Sequence, residues 1–149
     1  MAHSVMENVT GAVRGTLPRS ESRATSPAYQ AYILLYIAFI VAPIVAGIDK
    51  FLHLLTNWDM YLAPRFARIL PVATHDFMLA VGVVEVIAGI IVAIKPRIGA
   101  YIVAIWLACI IVNLLLVPSF FDIALRDFGL ALGALALGRL SQQYDSSKR

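Results

Sequence analysis

Long apolar stretches alternate with short polar ones along most of this 149-residue chain. The first stretch, residues 31–48, holds 18 residues without a charge. The second, residues 77–94, also holds 18 and contains Glu85 as its single charged residue. The third, residues 98–121, contains 24 uncharged residues. Because a helix needs about 20 apolar residues to cross a bilayer, each stretch predicts a transmembrane helix.

The fourth apolar stretch is shorter, since residues 128–138 make only 11 positions without a charge. Extending it back to Phe120 gives 19 residues and takes in three charged side chains. The short connection after the third stretch requires the chain to turn back, which favours a fourth span. We therefore predict an all-α polytopic membrane protein, a bundle of four transmembrane helices. The predicted spans cover residues 30–53, 75–94, 98–117 and 120–139.

The polar segments complete this arrangement. Residues 1–28 are rich in Ser, Thr, Gly and Arg, which predicts a disordered tail. The predicted four-helix membrane domain covers residues 29–140. A second tail is predicted for residues 141–149. Residues 54–74 mix aromatic, proline and charged residues, which is typical of a segment at the headgroup level. With four spans, both tails and the 95–97 turn share one side and hold eight of the twelve basic residues. The positive-inside rule then predicts cytoplasmic termini.

Composition narrows the classes of protein that remain. Sixty per cent of the residues are apolar and 14% are charged, whereas soluble domains have about 45–50% and about 25%. This excludes a water-soluble globular enzyme and predicts membrane lipids as partners. The net charge of +3 comes from scattered basic residues, so nucleic acid is not expected as a partner. The single cysteine, Cys109, excludes an internal disulfide and a Cys-x-x-Cys redox pair.

Glu85 is the most informative polar residue, because a charge inside a span costs about 2.5–3.5 kcal/mol. Gly82 and Gly89 lie on its helix face and allow another backbone to approach closely. Arg126 in the fourth span is the predicted cation for this carboxylate. Gly129 and Gly133 follow Arg126 by three and seven residues and so lie on the same face of the predicted helix. The two glycine-lined faces predict contact with a protein partner or with a second copy of the chain.

Most of the other polar side chains collect in the outer half of the predicted bundle. They are Asp49, Lys50, His53, Asp76, Asn113, Asp122, Arg126 and Asp127, with Glu85 beneath them. Such a collection is either an ion-pair network that locks the helices or a polar cavity that receives a ligand. If the protein is an enzyme, Glu85, Asp127 and Asp49 are the candidate acid–base groups. The remaining six would then surround the ligand.

No motif for a tightly bound cofactor is present. His53 and His75 could ligate a metal or haem only from opposing helices, and they lack the usual ligand spacing, so no metal site is predicted. A glycine-rich phosphate loop and a Cys-x-x-Cys-His signature are also absent from the sequence. The sequence identifies no particular cofactor, and a quinone or a lipid is compatible with the pattern.

The chain resembles the DoxX-like family of small four-helix bacterial membrane proteins. The likeness rests on Gly47-Ile48-Asp49-Lys50-Phe51, on Gly82-Val83-Val84-Glu85-Val86-Ile87-Ala88-Gly89 and on Arg126-Asp127, and it covers about residues 30–140. The resemblance implies a four-helix bundle in the bacterial inner (cytoplasmic) membrane. It also implies a membrane partner of a redox system, such as a quinone-linked oxidoreductase subunit or a component of an oxidative-stress complex. Lys50, Glu85, Arg126 and Asp127 are the positions that match the family pattern.

Three functions follow as hypotheses. The first is an accessory or anchoring subunit of a membrane redox or stress-response complex. The second is a membrane-embedded enzyme that uses Glu85 and Asp127 or Asp49 on a quinone, isoprenoid or other lipid-like substrate. The third, a transporter or proton relay, would need an oligomer, because the charges thin out below Glu85 in the cytoplasmic half.

Overall fold

The computed structural model describes residues 25–145, and all regular structure in that range is helical. Four long helices are present: α1 (Pro27–Leu52), α2 (Thr74–Ile94), α3 (Pro96–Leu115) and α4 (Phe121–Tyr144). Within the described range, residues 32–145 belong to one compact unit, and the packing reported below is that of this unit. The predicted disordered tail lies largely outside the described residues, and α1 already includes its last two positions.

The helix boundaries follow from local sequence. Lys95 alone separates α2 from α3, because Pro96 takes the first helical position, where its missing N–H group is not needed. Helix α4 continues five residues past the predicted end at residue 139. Its last turn is held by the Ser141 hydroxyl, which donates to the Leu137 carbonyl over 2.7 Å, and by the packing of Tyr144 on Tyr32.

Helices α1, α2 and α3 are long and apolar enough to cross a membrane. Large apolar side chains are exposed along all three, including Leu34 on α1, Ile94 on α2 and Ile105 on α3. Exposed apolar surface of this extent is typical of contact with lipid. The protein is therefore a membrane protein with three candidate spans. Helix α4 does not meet the same criterion, since it carries Asp122, Arg126, Asp127 and Arg139.

Helices α1 and α2 approach each other through glycine. A β-carbon at Gly47 would lie 2.5 Å from the Gly82 carbonyl oxygen, and one at Gly82 would lie 2.6 Å from the Gly47 carbonyl oxygen. Further along α2, Gly89 faces the Ile40 carbonyl and the Ile44 side chain. The prediction that Gly82 and Gly89 allow a close backbone approach is confirmed, and the approaching backbone is α1 of the same chain.

Helix α4 packs on α1 and α3. The α-carbon of Gly133 faces the Phe39 ring, and Gly138 faces the Tyr101 ring. Gly129 has nothing within 4 Å of its β-carbon position. The predicted partner-binding glycine faces are thus mostly filled inside the chain, because Gly82, Gly89 and Gly133 are covered by neighbouring helices. Of those four glycines, Gly129 alone is open.

The segment between α1 and α2 contains a 3-10 turn (Trp58–Tyr61) and one helical turn (Pro64–Ala67). The Asn113 side chain on α3 fixes this segment, because its amide nitrogen donates to the Tyr61 carbonyl over 2.7 Å and its oxygen accepts from the Ala63 N–H over 2.9 Å. The Tyr61 ring also packs on Phe120, with 4.8 Å between ring centroids. Asn113, predicted as part of the polar cluster, therefore holds the connecting segment against α3.

Candidate functional site

Four charged side chains are buried among the described residues: Asp49, Lys50, Glu85 and Asp127. Lys50 lies one turn after Gly47 on α1, and Glu85 lies one turn after Gly82 on α2. Helical side chains lean toward the N-terminus of their own helix, and these two helices run antiparallel, so Lys50 and Glu85 lean toward each other. The glycine contact thus sets the distance that the two side chains bridge.

Lys50 is enclosed on two sides. Its Nζ lies 2.5 Å from Glu85 Oε2 and 3.7 Å from the centroid of the Trp58 ring. Only 2% of its side chain is exposed. The ammonium group is therefore compensated by one carboxylate and one aromatic face, which is the arrangement that allows a cation to leave water.

Asp49 connects this pair to the segment that follows α1. Its carboxylate accepts the Trp58 Nε1–H over 2.7 Å, and it also accepts the backbone N–H groups of Leu54 and Leu55 over 3.0 and 3.1 Å. These bonds cap the end of α1 and hold the indole over Lys50. Asp49 is thus engaged in fixing the connecting segment.

Asp127 and Arg126 form a separate pair at the edge of the cluster. Arg126 Nε donates to Asp127 Oδ1 over 3.1 Å, and the Arg126 side chain is 64% exposed while that of Asp127 is 7% exposed. The prediction that Arg126 is the cation for Glu85 is wrong, because Lys50 occupies that place. Successive helical residues diverge by about 100°, so Asp127 turns inward and Arg126 outward. Asp127 lies close enough to both Glu85 and Lys50 to interact with them electrostatically.

Trp106 on α3 brings an unexpected polar atom to the cluster. Its indole Nε1 is buried and makes no well-formed hydrogen bond within residues 25–145, and Glu85 is the carboxylate that it approaches as a donor. The same side chain lines an apolar groove of about 340 Å³ between α2 and α3. The groove is lined by Val84, Ile87, Ala88, Ile91, Ile102, Ile105, Trp106 and Cys109. Trp106 is thus the residue shared by the groove and the charge cluster.

The other predicted cluster members lie elsewhere. Asp76 and Asp122 are exposed and form no ion pair with any residue in the described range. His53 is also exposed, just beyond the end of α1, and its ring stacks on that of His75. These three side chains lie outside the buried cluster because each is at or beyond a helix end.

Sequence reasoning missed the two tryptophans as members of the site. Trp58 lies in the segment predicted to sit at the headgroup level, and Trp106 lies in the third predicted span, where an aromatic packs or faces lipid. The sequence gives one usable signal, since Trp58 follows Lys50 closely in a segment that must fold back over the end of α1. No local signal places Trp106 beside Glu85, because that contact depends on how α3 is rotated.

The geometry of the cluster favours a structural lock over an open reaction site. Lys50 is matched by Glu85, Asp49 accepts three N–H groups, and Asp127 is matched by Arg126. Comparison with known proteins gave no match to a family model, to a curated protein or to a solved structure. The DoxX-like resemblance stays a prediction from the motifs.

Proposed function

We propose that this chain is a DoxX-like accessory or anchoring subunit of a quinone-linked redox or stress-response complex in the bacterial inner membrane. One observation carries the accessory part of this proposal: each buried charged side chain already has a partner, either an opposite charge or N–H groups. Lys50 is enclosed between Glu85 and Trp58, and Asp49 is occupied by the connecting segment. Such a cluster locks a helix bundle, and each of its carboxylates is engaged in that role. The redox part rests on the family resemblance.

The proposal includes four spans with both termini in the cytoplasm. Helix α4 packs against α1 and α3 through Gly133 and Gly138, which supports a position inside the bundle. Its buried residues include Asp127, while Arg126 lies near its outer end. A charged helix can span when its polar groups face the bundle interior.

Native mass spectrometry of the chain extracted from its own membrane in mild detergent tests the accessory function. We expect a stoichiometric complex with a second subunit that carries a redox cofactor. The matched variant is Lys50→Met/Glu85→Met, which replaces the ion pair by apolar side chains and should assemble as well as the wild type. Recovery of a lone monomer from membranes that contain the wild type and from membranes that contain the variant would contradict the proposal.

A second candidate function, an enzyme acting on a quinone or isoprenoid lipid, is favoured by one observation. Trp106 joins the apolar groove between α2 and α3 to the environment of Glu85. In this mechanism Glu85 would donate a proton to a substrate held in the groove. Glu85→Gln and the Lys50→Met/Glu85→Met variant should then both alter the quinone or lipid profile of the host while the protein stays folded. An unchanged profile in both would eliminate this candidate.

A further inference from the structure

Three potential metal ligands meet at the end of the molecule where α1 ends and α2 begins. His53 follows α1, Asp59 lies in the 3-10 turn, and His75 is the second residue of α2. One ligand atom from each lies within 4.8 Å of the other two. The three come from separate parts of the connecting region, so only the fold brings them together.

The distances approach those of a coordination sphere. His75 Nδ1 lies 3.2 Å from Asp59 Oδ2. Ligand atoms that share a tetrahedral Zn²⁺ at 2.0–2.2 Å are about 3.4 Å apart. The longest separation must therefore shorten by about 1.4 Å, which side-chain rotation of an exposed histidine can provide. The His53 and His75 rings are neighbours, with 5.4 Å between centroids and 23° between planes, and coordination requires each ring to turn a nitrogen toward the shared ion.

Asp59 provides an independent observation. Its Oδ1 is buried and has no hydrogen-bond partner within the described part of the chain. A buried carboxylate oxygen without a donor is costly, so it calls for a partner such as a cation. The backbone N–H of Asp59 donates to the Asn57 side chain over 3.1 Å, which orients the turn that carries this carboxylate. An exposed His–Asp pair alone would not account for the second oxygen.

The backbone conformation of His53 is a further observation at this cluster. It has φ of 52°, the only positive value at a non-glycine position among the residues described. Its N–H still donates to the Asp49 carbonyl over 2.7 Å, so His53 stands where glycine or asparagine usually ends a helix. A histidine is not required for this turn. Non-glycine residues in this backbone region cluster at functional sites.

We propose that His53, Asp59 and His75 bind a borderline divalent transition-metal ion, with Zn²⁺ as the representative ligand. Two imidazoles and one carboxylate form a ligand set that suits Zn²⁺, and three protein ligands leave one position for water. His53 and His75 are exposed, so the ion has direct access. The bound ion ties the end of α1 to the start of α2 and fixes the turn that holds Trp58 over Lys50.

Zn²⁺ titration of the full chain in detergent tests this site, with an affinity tag that lacks histidine. We expect one Zn²⁺ per chain and, on substitution by Co²⁺, the visible absorption of a four-coordinate ion. His53→Asn keeps a residue that tolerates the left-handed backbone, and His75→Gln and Asp59→Asn remove the other ligands with little change in size. Each should weaken Zn²⁺ binding by more than the roughly 10–100-fold loss that outer-shell changes produce.

Asp76→Asn is the matched control, since Asp76 is an exposed carboxylate next to His75 and outside the cluster. Its Zn²⁺ affinity should equal that of the wild type, and each variant should show the wild-type elution profile by gel filtration. Equal Zn²⁺ binding by the wild type and the His53→Asn/His75→Gln double variant would overturn the proposal. A wild-type protein that binds no Zn²⁺ at micromolar concentrations would overturn it as well.

Discussion

At the residue scale, Trp58 performs two separable roles in the buried cluster. Its indole N–H donates to Asp49, and its ring face covers the Lys50 ammonium group. The first role depends on the nitrogen and the second on the ring. The two roles predict different effects for substitutions that remove one or both.

Trp58→Phe keeps an aromatic face and loses the donor, so we expect the free energy of unfolding to fall by about 1.5–3 kcal/mol. Trp58→Leu also loses the cation–π contact and should be less stable by a further 0.5–2 kcal/mol or so. Equilibrium unfolding in mixed micelles measures both values. Phe121→Leu, at an exposed aromatic position, is the control. Equal destabilisation by Trp58→Phe and Trp58→Leu would show that the ring face contributes nothing.

The Lys50–Glu85 pair gives a second prediction at this scale. Lys50→Met and Glu85→Met each leave an unpaired buried charge and should each lower the free energy of unfolding by about 3–5 kcal/mol. The double variant removes both charges and should lie near the wild type. A double-mutant cycle by the same unfolding assay measures the coupling. Additive single effects would mean that the two side chains do not stabilise each other.

At the element scale, the contact between α1 and α2 depends on the absence of two β-carbons. Gly47→Ala and Gly82→Ala would each place a methyl group about 2.5 Å from a backbone carbonyl oxygen, which cannot move as a side chain can. We expect each to lower the free energy of unfolding by about 1–3 kcal/mol. Thermal unfolding followed by gel filtration in detergent reports the change.

Gly129→Ala is the matched control for this contact. Gly129 also lies within a long helix, α4, and its β-carbon would meet open space. Alanine is the better helix former by about 0.5–1 kcal/mol, so this variant should be as stable as the wild type or slightly more stable. If Gly47→Ala and Gly129→Ala behaved alike, the close approach of α1 and α2 would not be a source of stability.

At the scale of the whole molecule, the side on which the C-terminus lies separates three spans from four. With the N-terminus in the cytoplasm, α1, α2 and α3 alone would leave the C-terminus outside, whereas a spanning α4 returns it to the cytoplasm. The test uses a reporter that is active only in the cytoplasm. We expect this reporter to be active when it is fused after residue 149. A fusion within the 95–97 turn is the cytoplasmic control, and activity of a C-terminal reporter that works only outside the cytoplasm would eliminate the fourth span.

The sequence by itself determined the helices and the residues that need an explanation within them. Residue-by-residue hydropathy marks α1, α2 and α3, and Pro96 marks the turn between the last two, because these signals are local. Glu85 stands out for the same reason, since a carboxylate in an apolar run is visible without any structure. Local signals also predicted the close backbone approach at Gly82 and Gly89, although they did not identify α1 as the helix that approaches.

Only the tertiary structure decided which side chains meet. Lys50 rather than Arg126 binds Glu85, Trp58 and Trp106 join the cluster, and His53, Asp59 and His75 converge beyond it. Each outcome depends on the rotation of a helix about its axis or on the path of the connecting segment. Helices that are apolar all around, as those in lipid can be, present no polar face from which their rotation can be inferred. That rotation is set by packing, here by the contact of Gly47 with Gly82.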